Sequence, residues 1–239
     1  MEEYVCQAIN RGLKTLGFSD HTPYPFPGGY TSYAKMQISD MDFYFSTLLS
    51  LREKYGEYIE IPIGFETEYY PAYWDNLFAE YRKYPLEYLL YGAHHIGNEP
   101  DSFCAFDRTD DPARLTAYVN HSITALETGK FTAMTHPDCL NFVGSEELYR
   151  SEMRRLIAAA MRLGIPIEVN MQGMRRNAYY PNSAFWEEAA EMGAVAYIGM
   201  DCHNPAHVAD PDELERVCRF VEKHKINVID KLSLINPLI

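Results

Sequence analysis

Tyr58-Ile59-Glu60-Ile61-Pro62-Ile63-Gly64-Phe65-Glu66 is the stretch whose reading decides the fold. Its isoleucines and phenylalanine predict a buried strand, and the strand ends on a carboxylate. A lone glutamate in an apolar run is costly unless something partners it. Working outward, the same arrangement recurs. Leu16-Gly17-Phe18-Ser19 ends on Asp20-His21, and Tyr88-Leu89-Leu90-Tyr91 leads to His94 and His95. Phe131-Thr132-Ala133-Met134 leads to His136-Pro137-Asp138, and Ala194-Val195-Ala196-Tyr197-Ile198-Gly199 to Asp201-Cys202-His203.

Helix-like stretches separate these strands. Val5, Ala8, Ile9 and Leu13 predict a helix over 2–15. Ser39-Asp40 opens a second to about Tyr55, with Phe43, Leu48 and Leu51 on its buried side. A third covers 74–84. Asp110-Asp111-Pro112, Ser145, Asn182-Ser183 and Asp210-Pro211 start four more. Residues 165–170 and Val228-Ile229 read as further strands. Between the first two strands, residues 22–30 carry three prolines and two glycines and must be a loop. Its aromatics, Tyr24, Phe26 and Tyr30, predict that it folds over something.

Strict βα alternation implies a parallel sheet, and a closed barrel brings the strand ends to one mouth. The expected fold is therefore an α/β barrel forming a single domain over residues 1–239. A doubly wound dinucleotide fold is disfavoured, because no GxGxxG follows the first strand.

Composition narrows the function. The 239 residues carry a formal net charge of -13, which argues against nucleic acid as the main partner. The five cysteines are widely spread and form no CxxC pair, so neither a disulfide framework nor a zinc knuckle is expected. A reducing cytoplasm is the expected setting, with no membrane partner, since no apolar run is long enough to span and the N-terminus lacks signal-peptide features.

Imidazoles and carboxylates together suit Zn, Mn or Fe, and a carboxylate can bridge two cations. Two metals about 3.5–4 Å apart can clamp the attacking and leaving oxygens of a phosphate ester. His94 and His95 point to opposite faces of an extended chain, so at most one faces the mouth, whereas Asp201 and His203 share a face. Arg175-Arg176, beyond the strand ending at Asn170, can bind an anion. His121 and His224 are expected to be structural or exposed, His207 to cap the last helix, and Cys202 to point away. Cys104 and Cys139 lack a histidine partner for nucleophilic chemistry.

In combination these motifs resemble the PHP (polymerase and histidinol phosphatase) superfamily, most closely its histidinol-phosphatase branch. The resemblance rests on Gly17-Phe18-Ser19-Asp20-His21-Thr22-Pro23, Ile63-Gly64-Phe65-Glu66-Thr67-Glu68-Tyr69 and Tyr91-Gly92-Ala93-His94-His95-Ile96. Thr135-His136-Pro137-Asp138, Glu168-Val169-Asn170 with the following arginines, and Gly199-Met200-Asp201-Cys202-His203 extend it over essentially the whole chain. It implies a distorted (β/α)7-type barrel, up to three divalent metals (Zn, Mn or Fe), and hydrolysis of L-histidinol phosphate to histidinol and phosphate in histidine biosynthesis. By position, Glu66 would bridge two metals, His95 and His136 would complete one, and Asp201 would belong to the other. His21 and His203 would hold the third, Glu66 and His203 would be catalytic, and Arg175, with Arg176, would bind phosphate. The family opens with a strand carrying His-x-His, and this chain has no such strand. A first β-strand is therefore expected to be missing, with the Asp201 metal weakly held. The open edges would favour a homo-oligomer or a gap covered by a terminal segment. The other functions this sequence allows are a degenerate barrel that binds metal or ligand without turnover, and a phosphatase for another small phosphomonoester.

Overall fold

Seven short strands, all parallel, lie side by side in sequence order in a computed structural model that describes residues 1–239. They are β1 (Phe18–His21), β2 (Ile63–Thr67), β3 (Tyr88–Tyr91), β4 (Ala133–Met134), β5 (Ile167–Asn170), β6 (Val195–Gly199) and β7 (Asn227–Val228). The helices are α1 (Glu2–Asn10), α2 (Met41–Tyr55), α3 (Trp74–Tyr81), α4 (Pro112–Glu127), α5 (Glu146–Leu163), α6 (Met171–Arg175), α7 (Ser183–Met192) and α8 (Pro211–His224). This is the expected α/β, barrel-type architecture. Each neighbouring pair is hydrogen-bonded from β1 to β7, but β1 and β7 do not pair with each other, so the ring has a gap.

The helices start where their capping residues predict. Asp111, Ser145, Asn182 and Asp210 each accept a hydrogen bond from a backbone N–H of the first turn. The first helix is shorter than expected. Gly12 takes a φ of 79°, a left-handed turn that ends α1 at Asn10 and sends Leu13 back toward it. Phe43 is also not on the buried face. It is 69% exposed, while Met41, Tyr44, Phe45, Leu48 and Leu51 of α2 are buried. Helix α6 was not anticipated. Asn170 ends β5, and its Oδ1 accepts from Gly173 N–H at 2.8 Å, so the chain turns directly from strand into helix.

Most of the core lies between the sheet and the helices, where Trp186, Phe185, Phe65, Tyr118 and Leu156 have no exposed surface. The barrel's inner core is much smaller, built from Tyr88, Leu90, Ala133 and Tyr197. Beside it the gap between β1 and β7 opens into a cavity of about 1020 Å³, walled by Leu16 to His21 on one side and Ile229 to Leu234 on the other. Two features bridge the gap without strand pairing. Helix α1 packs against the short 3₁₀ turn Pro205–His207, and Lys231 Nζ reaches Glu60 Oε2 at 2.7 Å. No helix is long and apolar enough to cross a membrane.

Candidate metal centre

Register brings the first two site residues together. His21 is the Cα partner of Glu66 at the C-terminal ends of β1 and β2. His94 follows β3 by three residues and His136 follows β4 by two, so both hang over the same mouth. Their ring nitrogens converge on one carboxylate oxygen. His136 Nε2 lies 2.9 Å from Glu66 Oε1, His94 Nε2 lies 3.3 Å from it, and the two Nε2 atoms are 3.2 Å apart. The other carboxylate oxygen faces His21, whose Nδ1 is 3.7 Å from Glu66 Oε2 and buried without a hydrogen-bond partner. His21, Glu66 and His94 each bring one ligand atom to within 4.8 Å of the others, a grouping that can hold a metal ion.

The donor set fits a divalent metal. A tetrahedral ion with bonds near 2.0–2.1 Å places its ligand atoms about 3.3 Å apart, close to the spacings seen here. Three imidazoles around one carboxylate, two at one oxygen and one toward the other, suit a bridging carboxylate. Burial alone would raise the Glu66 pKa, but His94, His136 and His21 outweigh it and hold the carboxyl well below its usual range. Burial works against a charge on His94 too, yet Glu66 and Glu68 raise it to about 9.

Glycine makes room for these groups. A Cβ at Gly92 would overlap the Glu66 carboxylate, and one at Gly199 would overlap Glu168. Two site residues sit at positive φ, His136 at 25° and Asp201 at 44°, which costs on the order of 1 kcal/mol or more each and must be held by the surroundings. Glu168 Oε2 accepts from the His136 backbone N–H at 2.8 Å. Asp201 accepts from Asn170 Nδ2 at 3.0 Å, from Gln172 Nε2 at 2.7 Å and from His203 Nε2 at 3.0 Å. Burial and the nearby Asp201 push Glu168 up to about 7. The bond to Asp201 raises His203, whose side chain is half exposed at the rim. His21 and His203 have ring centroids 6.3 Å apart, across the gap side of the mouth.

In two places the geometry differs from the arrangement expected. His94, rather than His95, joins Glu66 and His136. His95 is only half-buried, forms an isolated bridge with Cys104, and its Nδ1 has no partner. Strand alternation accounts for this: Tyr88 and Leu90 face the barrel interior, a Cβ at Gly92 would meet Glu66, and His94 continues that face, whereas the choice of His95 rests on the family resemblance. Arg175 is likewise taken. It makes a two-pronged pair with Glu213 of α8, Nε to Oε1 at 2.7 Å and Nη2 to Oε2 at 2.8 Å. Arg176 instead lines the cleft of about 330 Å³ above the site, with His21, Glu66, His94, His136 and His203. His207 pairs with Glu213 at 2.8 Å, and Asp210 is the cap of α8.

Glu168, Asn170, Gln172, Glu68 and Lys35 also build the site, and none was singled out from the sequence. Glu168 and Asn170 had a visible signal, since they interrupt an apolar strand as Glu66 does. Gln172 depends on the unanticipated α6, and Lys35 on long-range folding of the 22–37 loop.

Known proteins resemble this chain in family and in fold. The PHP domain profile matches residues 1–172. A probable histidinol-phosphatase from Schizosaccharomyces pombe is 26% identical over 233 residues, covering 87% of this chain and 76% of the relative. One from Deinococcus radiodurans is 21% identical over 215 residues, covering 86% and 81%. The crystal structure of histidinol phosphate phosphatase HisK from Lactococcus lactis, complexed with zinc, L-histidinol and phosphate, superposes with a TM-score of 0.71 at 16% identity. That match covers 97% of this chain and 90% of the other, and it shows a shared fold. The profile match over residues 1–172, more than half of the chain, shows that the chain belongs to the PHP domain family.

Proposed function

We propose that the protein is a metal-dependent phosphomonoester hydrolase acting on L-histidinol phosphate, with water as the acceptor and histidinol and phosphate as products. The observation that carries this reading is the meeting of His94 Nε2 and His136 Nε2 on Glu66 Oε1, with Glu66 Oε2 turned toward His21. These four residues would hold the metal, with Asp201 and His203 at the gap side. A bound divalent cation would supply a Lewis acid and lower the pKa of a coordinated water.

The chain's own groups do the rest. Arg176 at the cleft rim gives a positive side chain for the phosphoryl group. Asn170 and Gln172 fix the Asp201 carboxylate, its bond with His203 does most to keep its pKa low against burial, and Asp201 in turn orients His203. His203, protonated more readily than a free histidine, is placed to give a proton to the departing alkoxide. The substrate assignment is supported by the names of the two curated relatives.

The test is phosphate release from L-histidinol phosphate by the purified chain with added Zn or Mn, beside Glu66→Ala and a chelated control. Metal-dependent turnover that Glu66→Ala abolishes is expected. Turnover unaffected by both treatments would overturn the proposal. One observation favours a second reading, a barrel that binds metal without turnover: the gap between β1 and β7 lies beside Asp201 and leaves that half of the site open. Metal binding with no hydrolysis of any small phosphomonoester would select it.

A further inference from the structure

A buried lysine stands behind the metal centre. Lys35 belongs to the proline-rich loop over residues 22–37, and its side chain is only 3% exposed. Its ammonium contacts Glu68 Oε1 and lies 3.4 Å from Glu99 Oε2. Both carboxylates are as deeply buried as the lysine. Glu68 follows β2, and Glu99 lies on the loop after β3, so one cation ties three segments together. Three buried charges are costly unless they pair closely. A simple loop staple would need only one of the two carboxylates.

The Glu68 contact does more than staple. The oxygen that meets Lys35 is also 3.1 Å from His94 Nδ1. A neutral imidazole that donates from Nδ1 to a carboxylate presents Nε2 with its lone pair free to bind a metal, and carboxylate partners of this kind orient metal-binding histidines. His94 Nε2 is the atom that faces Glu66 and His136. We infer that Lys35 is a positioning residue of this centre, holding the Glu68 carboxylate against His94 Nδ1 so that Nε2 points at the metal position. The inference rests on the metal-centre reading above. Glu68 is held well below the usual carboxylate range, against the effect of burial, by Lys35 and His94, which agrees with its acting as a fixed acceptor.

Tyr30 supplies a control within the same loop. Its hydroxyl donates to Glu99 Oε1 at 3.1 Å and does not reach Glu68. Removing it loosens the loop and leaves the lysine–glutamate–histidine line intact.

The experiment is a competitive titration of Zn against a chromogenic chelator, using the full chain and its variants, with circular dichroism to verify folding. Lys35→Met is expected to bind Zn about 10- to 100-fold more weakly, the usual cost of losing an outer-shell partner, and its hydrolytic activity should recover as metal is raised. Lys35→Arg, which keeps the charge, should stay within about five-fold of the parent, and Tyr30→Phe within about two-fold. Parent-like affinity in Lys35→Met overturns the inference, and so does an equal loss in Tyr30→Phe, which would mean that loop seating alone matters. Glu66→Ala separates the two levels. Parent-like binding by Glu66→Ala overturns the metal centre itself, whereas its loss beside an unaffected Lys35→Met overturns only the role of Lys35. If Lys35→Met does not fold, Glu68→Gln takes its place, with the same 10- to 100-fold loss expected and parent-like affinity contradicting it.

Discussion

The two sides of the barrel mouth differ in how they are built. On the β2–β4 side, Glu66, His94 and His136 are buried and converge within 3.3 Å of one another, backed by Glu68, Lys35 and Glu168. On the β6–β1 side, His203 is half exposed, His21 is only partly covered, and the two rings stand 6.3 Å apart at the edge of the gap. Strands β2 to β4 are paired on both sides, while β1 and β7 each lack one neighbour. A ligand atom can be held to a fraction of an ångström only where its own element is locked by packing. Glu66, His94 and His136 are therefore fixed relative to one another, whereas on the other side Asp201 is held by hydrogen bonds but the His21 and His203 rings are not fixed relative to each other.

The largest test of that contrast is Glu66→Ala, which removes the one carboxylate shared by both sides. Hydrolytic activity should fall on the order of 1,000-fold or more, the scale of losing a central electrostatic group. Residual activity near the parent level would mean that the two sides act separately.

His94→Ala and His95→Ala then break the buried side residue by residue. The first should weaken metal binding by about 100-fold or more, and the second should change it by less than about three-fold. Equal effects would return the ligand role to His95.

Protonation sharpens the same side. The metal-free His94 has a pKa raised to about 9, so at neutral pH it carries a proton that a metal must displace. Its pairing with Glu66 and Glu68 stabilises the metal-free fold below the unfolded value, and that stabilisation is lost as pH rises through about 9. Metal affinity should accordingly rise by up to about ten-fold per pH unit between pH 7 and 9, with proton release seen calorimetrically in buffers of different ionisation enthalpy. A pH-independent affinity would contradict a charged His94.

The arginines probe the cleft above both sides and carry the smallest effect. Arg176→Ala should raise KM about ten-fold with a smaller change in kcat. Arg175→Ala breaks a partly buried two-pronged pair with Glu213, so it should leave KM nearly unchanged and lower Tm by about 2–4 °C.

The fold was legible because apolar strands, capping residues and strand-end ligands all repeated in one order. Ser145, Asn182 and Asp210 mark helix starts locally, and Glu66 betrays itself by being charged where neighbours are apolar. The alternation that turns Tyr88, Leu90 and Gly92 to the barrel interior also sets His94, rather than the adjacent His95, toward Glu66. What stayed hidden depends on geometry beyond the strand ends. Arg175 and Arg176 sit together at the C-terminal end of α6, and their neighbouring positions there send one toward Glu213 and the other to the cleft. Glu168 could have been found by the reasoning applied to Glu66, since it too lies in an apolar strand. Lys35 could not, because nothing near it in sequence points to Glu68 or Glu99.

The most direct measurement is a crystal structure of the Zn- or Mn-loaded protein with anomalous data at the metal edge. The account predicts a metal within about 2.0–2.2 Å of His94 Nε2, His136 Nε2 and a Glu66 carboxylate oxygen, the range expected for such ligands. A metal bound through His95, or bound only at Asp201 and His203 with the Glu66 group left free, would contradict it.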